Sequence, residues 1–110
     1  MASYRSRLKI VADVLSVAKG SAKKTQIMYQ ANLSYKLLTR YLRFVLEAGL
    51  IKLRDGNCYE LTPKGFEFLR KFDDYYERRQ ELRTQLTVIK KKKAVLENSF
   101  LNNTKADDTG

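Results

Sequence analysis

Lys36, Arg40 and Arg43 stand four and three residues apart, a spacing that puts them in one stripe if the segment is helical. A stripe of cations can hold phosphate oxygens, and Arg can also grip a guanine edge through two N–H groups, so the chemistry on offer is recognition of a polyanion. Thr39 falls beside the stripe. Tyr35 opens it and can stack or hydrogen-bond, although a Tyr just after a helix cap is more often partly buried packing. Only Glu47, at the far end, interrupts the positive sign, whereas an ordinary solvated helix face mixes signs. Lys23, Lys24 and Thr25 before the stripe, and Lys52, Arg54 and Asn57 after it, supply further groups of the same kind.

Other chemistries are poorly provided for. The chain has no His and a single cysteine, Cys58, so an internal disulfide is impossible and a zinc site would need an unusual ligand set. No Gly-rich phosphate loop follows a strand, and the carboxylates are strewn along helical segments rather than set beside nucleophiles. We therefore expect no catalytic residue, no metal, no cofactor and no small-molecule ligand. Lys and Arg number 22 against 12 Asp and Glu in 110 residues, a formal charge of +10. Residues 1–62 hold eleven of the cations and four of the acids, a net +7, so the charge is concentrated in that part. No apolar run has the length of a signal peptide core or a membrane span. The expected setting is the cytoplasm.

The elements that must position the stripe can be read from periodicity and punctuation. Leu8, Val11, Val14, Leu15 and Ala18 recur at helical spacing between Tyr4 and Lys19, with Gly20 placed to end that helix in a left-handed conformation. A shorter helix fits Lys24 to Ala31, Ile27 and Met28 inward, before a break at Ala31-Asn32-Leu33. The third helix runs from Tyr35 to Ala48, with Ser34 as N-cap and Gly49 just past its end, and turns Leu38, Tyr41, Leu42 and Val45 toward the first. Leu50 to Arg54 and Cys58 to Leu61 then read as a β-hairpin. A three-residue loop, Asp55 to Asn57, puts Ile51, Leu61, Leu53 and Tyr59 on one face and pairs Lys52 with Glu60 on the other; a two-residue loop scatters the apolar groups. Thr62-Pro63 opens a fourth helix. Three helices followed by a hairpin is the order of a winged helix-turn-helix, so the fold class is mainly α with a small β-hairpin, and the partner implied is double-stranded DNA.

After Gly65 no breaker appears until Asn102-Asn103, giving a helix of roughly 38 residues and about 60 Å. Phe68, Phe72, Tyr75, Arg79, Leu82, Leu86, Ile89, Lys93, Leu96 and Phe100 alternate steps of four and three, the seam of a coiled coil. Such a seam needs a second helix, most simply that of a second copy. Asp73, Asp74, Glu77 and Glu81 in the first half and Lys90 to Lys93 in the second favour antiparallel pairing, by a modest and salt-screened margin. The Lys90–Lys93 run reads as a solvated coiled-coil face in preference to a DNA contact. The expected domains are a DNA-binding head over 1–62, a dimerisation helix over 63–101 and a disordered tail over 102–110.

Gly20-Ser21, Lys24-Thr25-Gln26-Ile27-Met28-Tyr29, Ala31-Asn32-Leu33-Ser34-Tyr35, Arg40-Tyr41 and Leu61-Thr62-Pro63-Lys64-Gly65 resemble the small winged-helix chromatin proteins of Sulfolobus-type archaea, the ten-a group. The resemblance spans nearly everything but the tail and is most specific from Ile27 to Tyr35. It implies a homodimer joined by an antiparallel coiled coil, abundant and binding duplex DNA with little sequence preference. Two positions depart from it: Ala22 stands where a proline is expected, and Lys36 adds a charge to the recognition face. Three roles are compatible with this sequence: an architectural, nucleoid-associated DNA-binding protein, a dimeric operator-specific transcription regulator on the same fold, and a protein-interaction scaffold.

Overall fold

A computed structural model describes residues 5–109, with side chains through Leu101. Tyr4, the expected start of the first helix, lies outside the described residues, and that helix begins at Arg7 after its cap Ser6; the stretch expected to be structureless after Leu101 is helical through Thr109. The chain runs α1 (Arg7–Ala18), β1 (Ala22–Lys23), α2 (Lys24–Gln30), α3 (Tyr35–Glu47), β2 (Ile51–Arg54), β3 (Cys58–Leu61) and α4 (Pro63–Thr109). It divides into two compact units, 1–74 and 75–110.

In the first unit, Ser6 caps α1 by accepting from the Lys9 N–H, and Ser34 caps α3 by accepting from the Leu37 N–H. Val14, Leu15 and Ala18 of α1, Ile27 of α2 and Leu38, Tyr41, Leu42 and Val45 of α3 are buried together with Ile51 and Leu61 of the sheet. Leu8, expected on the inward face of α1, is exposed, and Ile10 is buried in its place. Each large aliphatic side chain removed from water here contributes about 2 kcal/mol, and the set fixes the rotation of α3 about its axis.

The hairpin adopts the three-residue loop, with Ile51 opposite Leu61, Lys52 opposite Glu60 and Leu53 opposite Tyr59. Gly56 and Asn57, both at positive φ (77° and 60°), make the reversal. The sheet has a third strand that the sequence reading lacks: Ala22 pairs with Tyr59 and Lys23 with Cys58, so β3 is central in the order β1-β3-β2. This also corrects the end of α1. The left-handed residue is Ser21 (φ 67°), not Gly20, because the last turn closes with the Ser21 N–H on the Ala18 carbonyl and the chain reverses one residue later, into β1. Ala22, the position where a proline was expected, is buried in that strand.

The entry to α4 stitches it to the end of α3. Thr62 Oγ1 accepts from the Gly65 N–H and donates to the Gly49 carbonyl, while Lys64 Nζ donates to the Ala48 carbonyl at 2.9 Å. Gly65, Leu69 and Phe72 of α4 are buried in the head, so this compact unit takes in the first turns of α4 and reaches past the Thr62 boundary to Asp74.

Candidate nucleic-acid interface

With Leu38, Tyr41, Leu42 and Val45 turned inward, α3 must present Lys36, Arg40 and Arg43 to solvent, and all three are exposed. Among the described residues none of the three has a carboxylate within ion-pair distance. Thr39, half-buried beside them, donates its hydroxyl to the Tyr35 carbonyl at 2.9 Å, which leaves its oxygen lone pairs for an incoming donor.

Tyr35 is 65% exposed rather than packed. Lys24, at the start of α2, lies with its Nζ 4.8 Å from the Tyr35 ring centroid and 3.5 Å from its hydroxyl, so the two elements of the helix-turn-helix meet in a cation–π contact on the basic face. Lys23 and Thr25 are exposed on either side of Lys24. Lys24, Thr39 and Arg43 line an open cleft of about 400 Å³ together with Leu42, Leu46 and Glu47 of α3 and Tyr59 of β3, so α2, α3 and the sheet converge on one hollow that holds two cations and one carboxylate.

Arg5 holds the turn between α2 and α3 in place. Its guanidinium donates to the Ala31 and Asn32 carbonyls, at 2.7 Å each, and to Asp13 of α1 at 2.8 Å. Asn32 has the left-handed backbone (φ 54°) that this tight connection demands. The sequence reading passed over Arg5, whose two carbonyl partners are 26 and 27 residues away in sequence and carry no side-chain signal. It also passed over Tyr29, an exposed aromatic on α2 that lies well around the helix from buried Ile27.

The wing differs from α3. Lys52, Arg54 and Asn57 are exposed, as expected, but Arg54 donates to both oxygens of Glu60, at 3.3 and 3.1 Å, and Lys52 Nζ lies 3.5 Å from the same carboxylate. Burial acts to raise the Glu60 pKa; the hydrogen bonds and charges of Arg54 and then Lys52 outweigh it and hold the carboxyl below its ordinary range. Leu53, on the apolar face of the hairpin, is 53% exposed, because that face is covered only at its base by Ile51 and Leu61.

In the second unit, α4 exposes Tyr75, Leu82, Leu86, Ile89, Leu96 and Phe100, with Arg79 and Lys93 exposed in the same seam. Val88, Val95 and Leu101 are exposed outside it. The seam does not extend unchanged toward the head: Phe68 is half-buried and Phe72 is 8% exposed within its own chain, where it completes the core with Leu69. Phe72 is thus core, and the apolar strip left for another helix begins at Tyr75. No helix among the described residues is long and apolar enough to cross a membrane, and no group of three or more metal-ligating side chains gathers among them.

The winged helix-turn-helix family matches residues 4–80. An uncharacterised protein of Methanocaldococcus jannaschii is 37% identical over 73 residues, 66% of this chain; the chain spans only about a third (34%) of that relative's length. Among solved structures, Sso10a-2, a DNA-binding protein from Sulfolobus solfataricus, superposes with a TM-score of 0.71 at 22% identity, covering 79% of this chain and 95% of that one. Lactococcus lactis ZitR superposes with a TM-score of 0.58 at 17% identity, over 91% of this chain and 78% of its own. At these identities the likeness is one of fold. The chain belongs to the winged helix-turn-helix family.

Proposed function

We propose that this protein is a dimeric, largely sequence-independent binder of double-stranded DNA with an architectural role on the chromosome. The observation that carries the reading is the exposed stripe Lys36, Arg40 and Arg43 on α3, which among the described residues forms no ion pair with a carboxylate and is extended by Lys23, Lys24, Thr25 and Tyr35. Cations left uncompensated inside the protein find their counter-charge in backbone phosphate, and the release of DNA's condensed counterions drives that exchange. Sso10a-2, which shares the fold, is itself a DNA-binding protein. Thr39 and the α3 arginines can also reach base edges, but phosphate contacts alone account for a stripe of one sign. The exposed apolar strip of α4 from Tyr75 to Phe100 supports pairing with a second copy, and the acidic-then-basic charge order supports an antiparallel pair. A dimer carries two basic faces and can hold two stretches of duplex.

The test is an anisotropy titration of several unrelated duplexes at two salt concentrations. Similar affinities that fall steeply with salt support the architectural role. One duplex preferred by a factor of about 10³ or more would replace it with an operator-specific regulator. Failure to bind any duplex at low salt would leave a scaffold that binds protein.

A further inference from the structure

The wing carries two of the head's cations, and both are already engaged. The antiparallel register sets Lys52 across from Glu60, and Arg54, two residues further on, shares their face of the ladder. Glu60 is the least exposed member of the three, with 22% of its side chain in solvent against 56% for Lys52 and 63% for Arg54. The carboxylate is therefore the anchored partner, and the two cations are the ones free to swing away. This is unlike α3, whose Lys36, Arg40 and Arg43 form no ion pair among the described residues.

We propose that Glu60 sets how much the wing adds to duplex binding, by occupying Lys52 and Arg54 with a carboxylate that backbone phosphate must displace. The proposal rests on the reading of the head as a duplex-binding surface. A carboxylate and a phosphate compete for the same N–H donors. A cation neutralised within the protein adds little to counterion release when DNA arrives. The wing thus gives the intact protein less affinity than its two cations would give alone.

The test uses the full chain and duplex titrations across a salt series. Glu60→Gln should bind about three- to tenfold more tightly at low salt and steepen the slope of log affinity against log salt by about one. Glu60→Asp keeps the charge but draws the carboxylate back by one methylene; it should tighten binding in the same direction by less. In a chain that already carries Lys52→Gln and Arg54→Gln, the Glu60→Gln change should have no effect on affinity or slope. Persistence of the gain in that chain would mean a general field effect and overturns the proposal, as does unchanged binding by both single variants. If the parent chain binds no duplex at low salt, the reading of the head fails and the proposal with it. Binding by the parent with no response at Glu60 removes the proposal alone.

Discussion

Arg40 and Arg43 are the residues whose loss should be read most directly in binding, since they are exposed, unpaired with acid and absent from the core. Arg40→Ala with Arg43→Ala should leave the melting transition of the head nearly unchanged and weaken duplex binding for all sequences alike. The salt slope should flatten by about one for each phosphate contact removed. Unchanged affinity in the double variant would remove α3 as the binding element. Glu60 makes a different kind of prediction. Its folded carboxyl titrates below the ordinary glutamate range, so its ion pairs add stability above the unfolded value, and that contribution is lost as pH falls through the folded one. The parent should therefore melt above Glu60→Gln at neutral pH, with the gap closing in acid below the usual carboxylate range. A gap that widened on acidification would show that the pairs do not hold the carboxyl ionised.

Among the elements, the junction of α3 and α4 is the least forgiving. A Cβ on Gly65 would run into the backbone carbonyl of Leu50 and crowd Leu61, and backbone cannot swing aside as a flexible side chain can. Gly65→Ala should cost about 1–3 kcal/mol in a denaturant melt, although alanine is the better helix former; a neutral or stabilising result would mean that α4 does not enter so close to Leu50. This junction shows what the sequence made legible. The Leu61 to Gly65 segment could be recognised as a helix entry, but the reason for its glycine lay in a residue fifteen positions earlier. The hairpin register was legible because a slip of one residue exposes Ile51 and Leu61 together. The strand β1 was not, since two residues have no period to detect. The stripe on α3 followed from its buried face, whereas the grip of Arg54 on Glu60 is a diagonal contact that depends on side-chain reach across the ladder. Phe72 shows a further limit: packing on one's own core and packing on a partner helix obey the same three-and-four spacing, so the seam ran on into the head without a mark where its meaning changed.

At the scale of the whole molecule the question is what covers α4 beyond Tyr75. Leu82, Leu86, Ile89 and Leu96 are each more than half exposed in the single chain, a strip that an unpaired helix would hold in water at considerable cost. In the proposed dimer a second copy would cover it with the same residues. Leu86→Glu would bury an unpaired carboxylate in that layer, with a desolvation cost of several kcal/mol, and should yield monomers by light scattering. Glu81→Lys, outside the seam, should leave the dimer intact; equal disruption by both would argue against a dry seam. Direction can be read by crosslinking in a Cys58→Ser background. With Leu82 of one chain level with Leu86 of the other, Tyr75 falls level with Lys93, so chains carrying Tyr75→Cys mixed with chains carrying Lys93→Cys should form disulfides between unlike chains. Phe72, buried in its own head, could not report on a partner. If Tyr75→Cys joined only to itself, the helices would run parallel. The acidic halves, with Asp73, Asp74, Glu77 and Glu81, would then lie side by side, and the charge order that favours the antiparallel pair would instead oppose dimerisation.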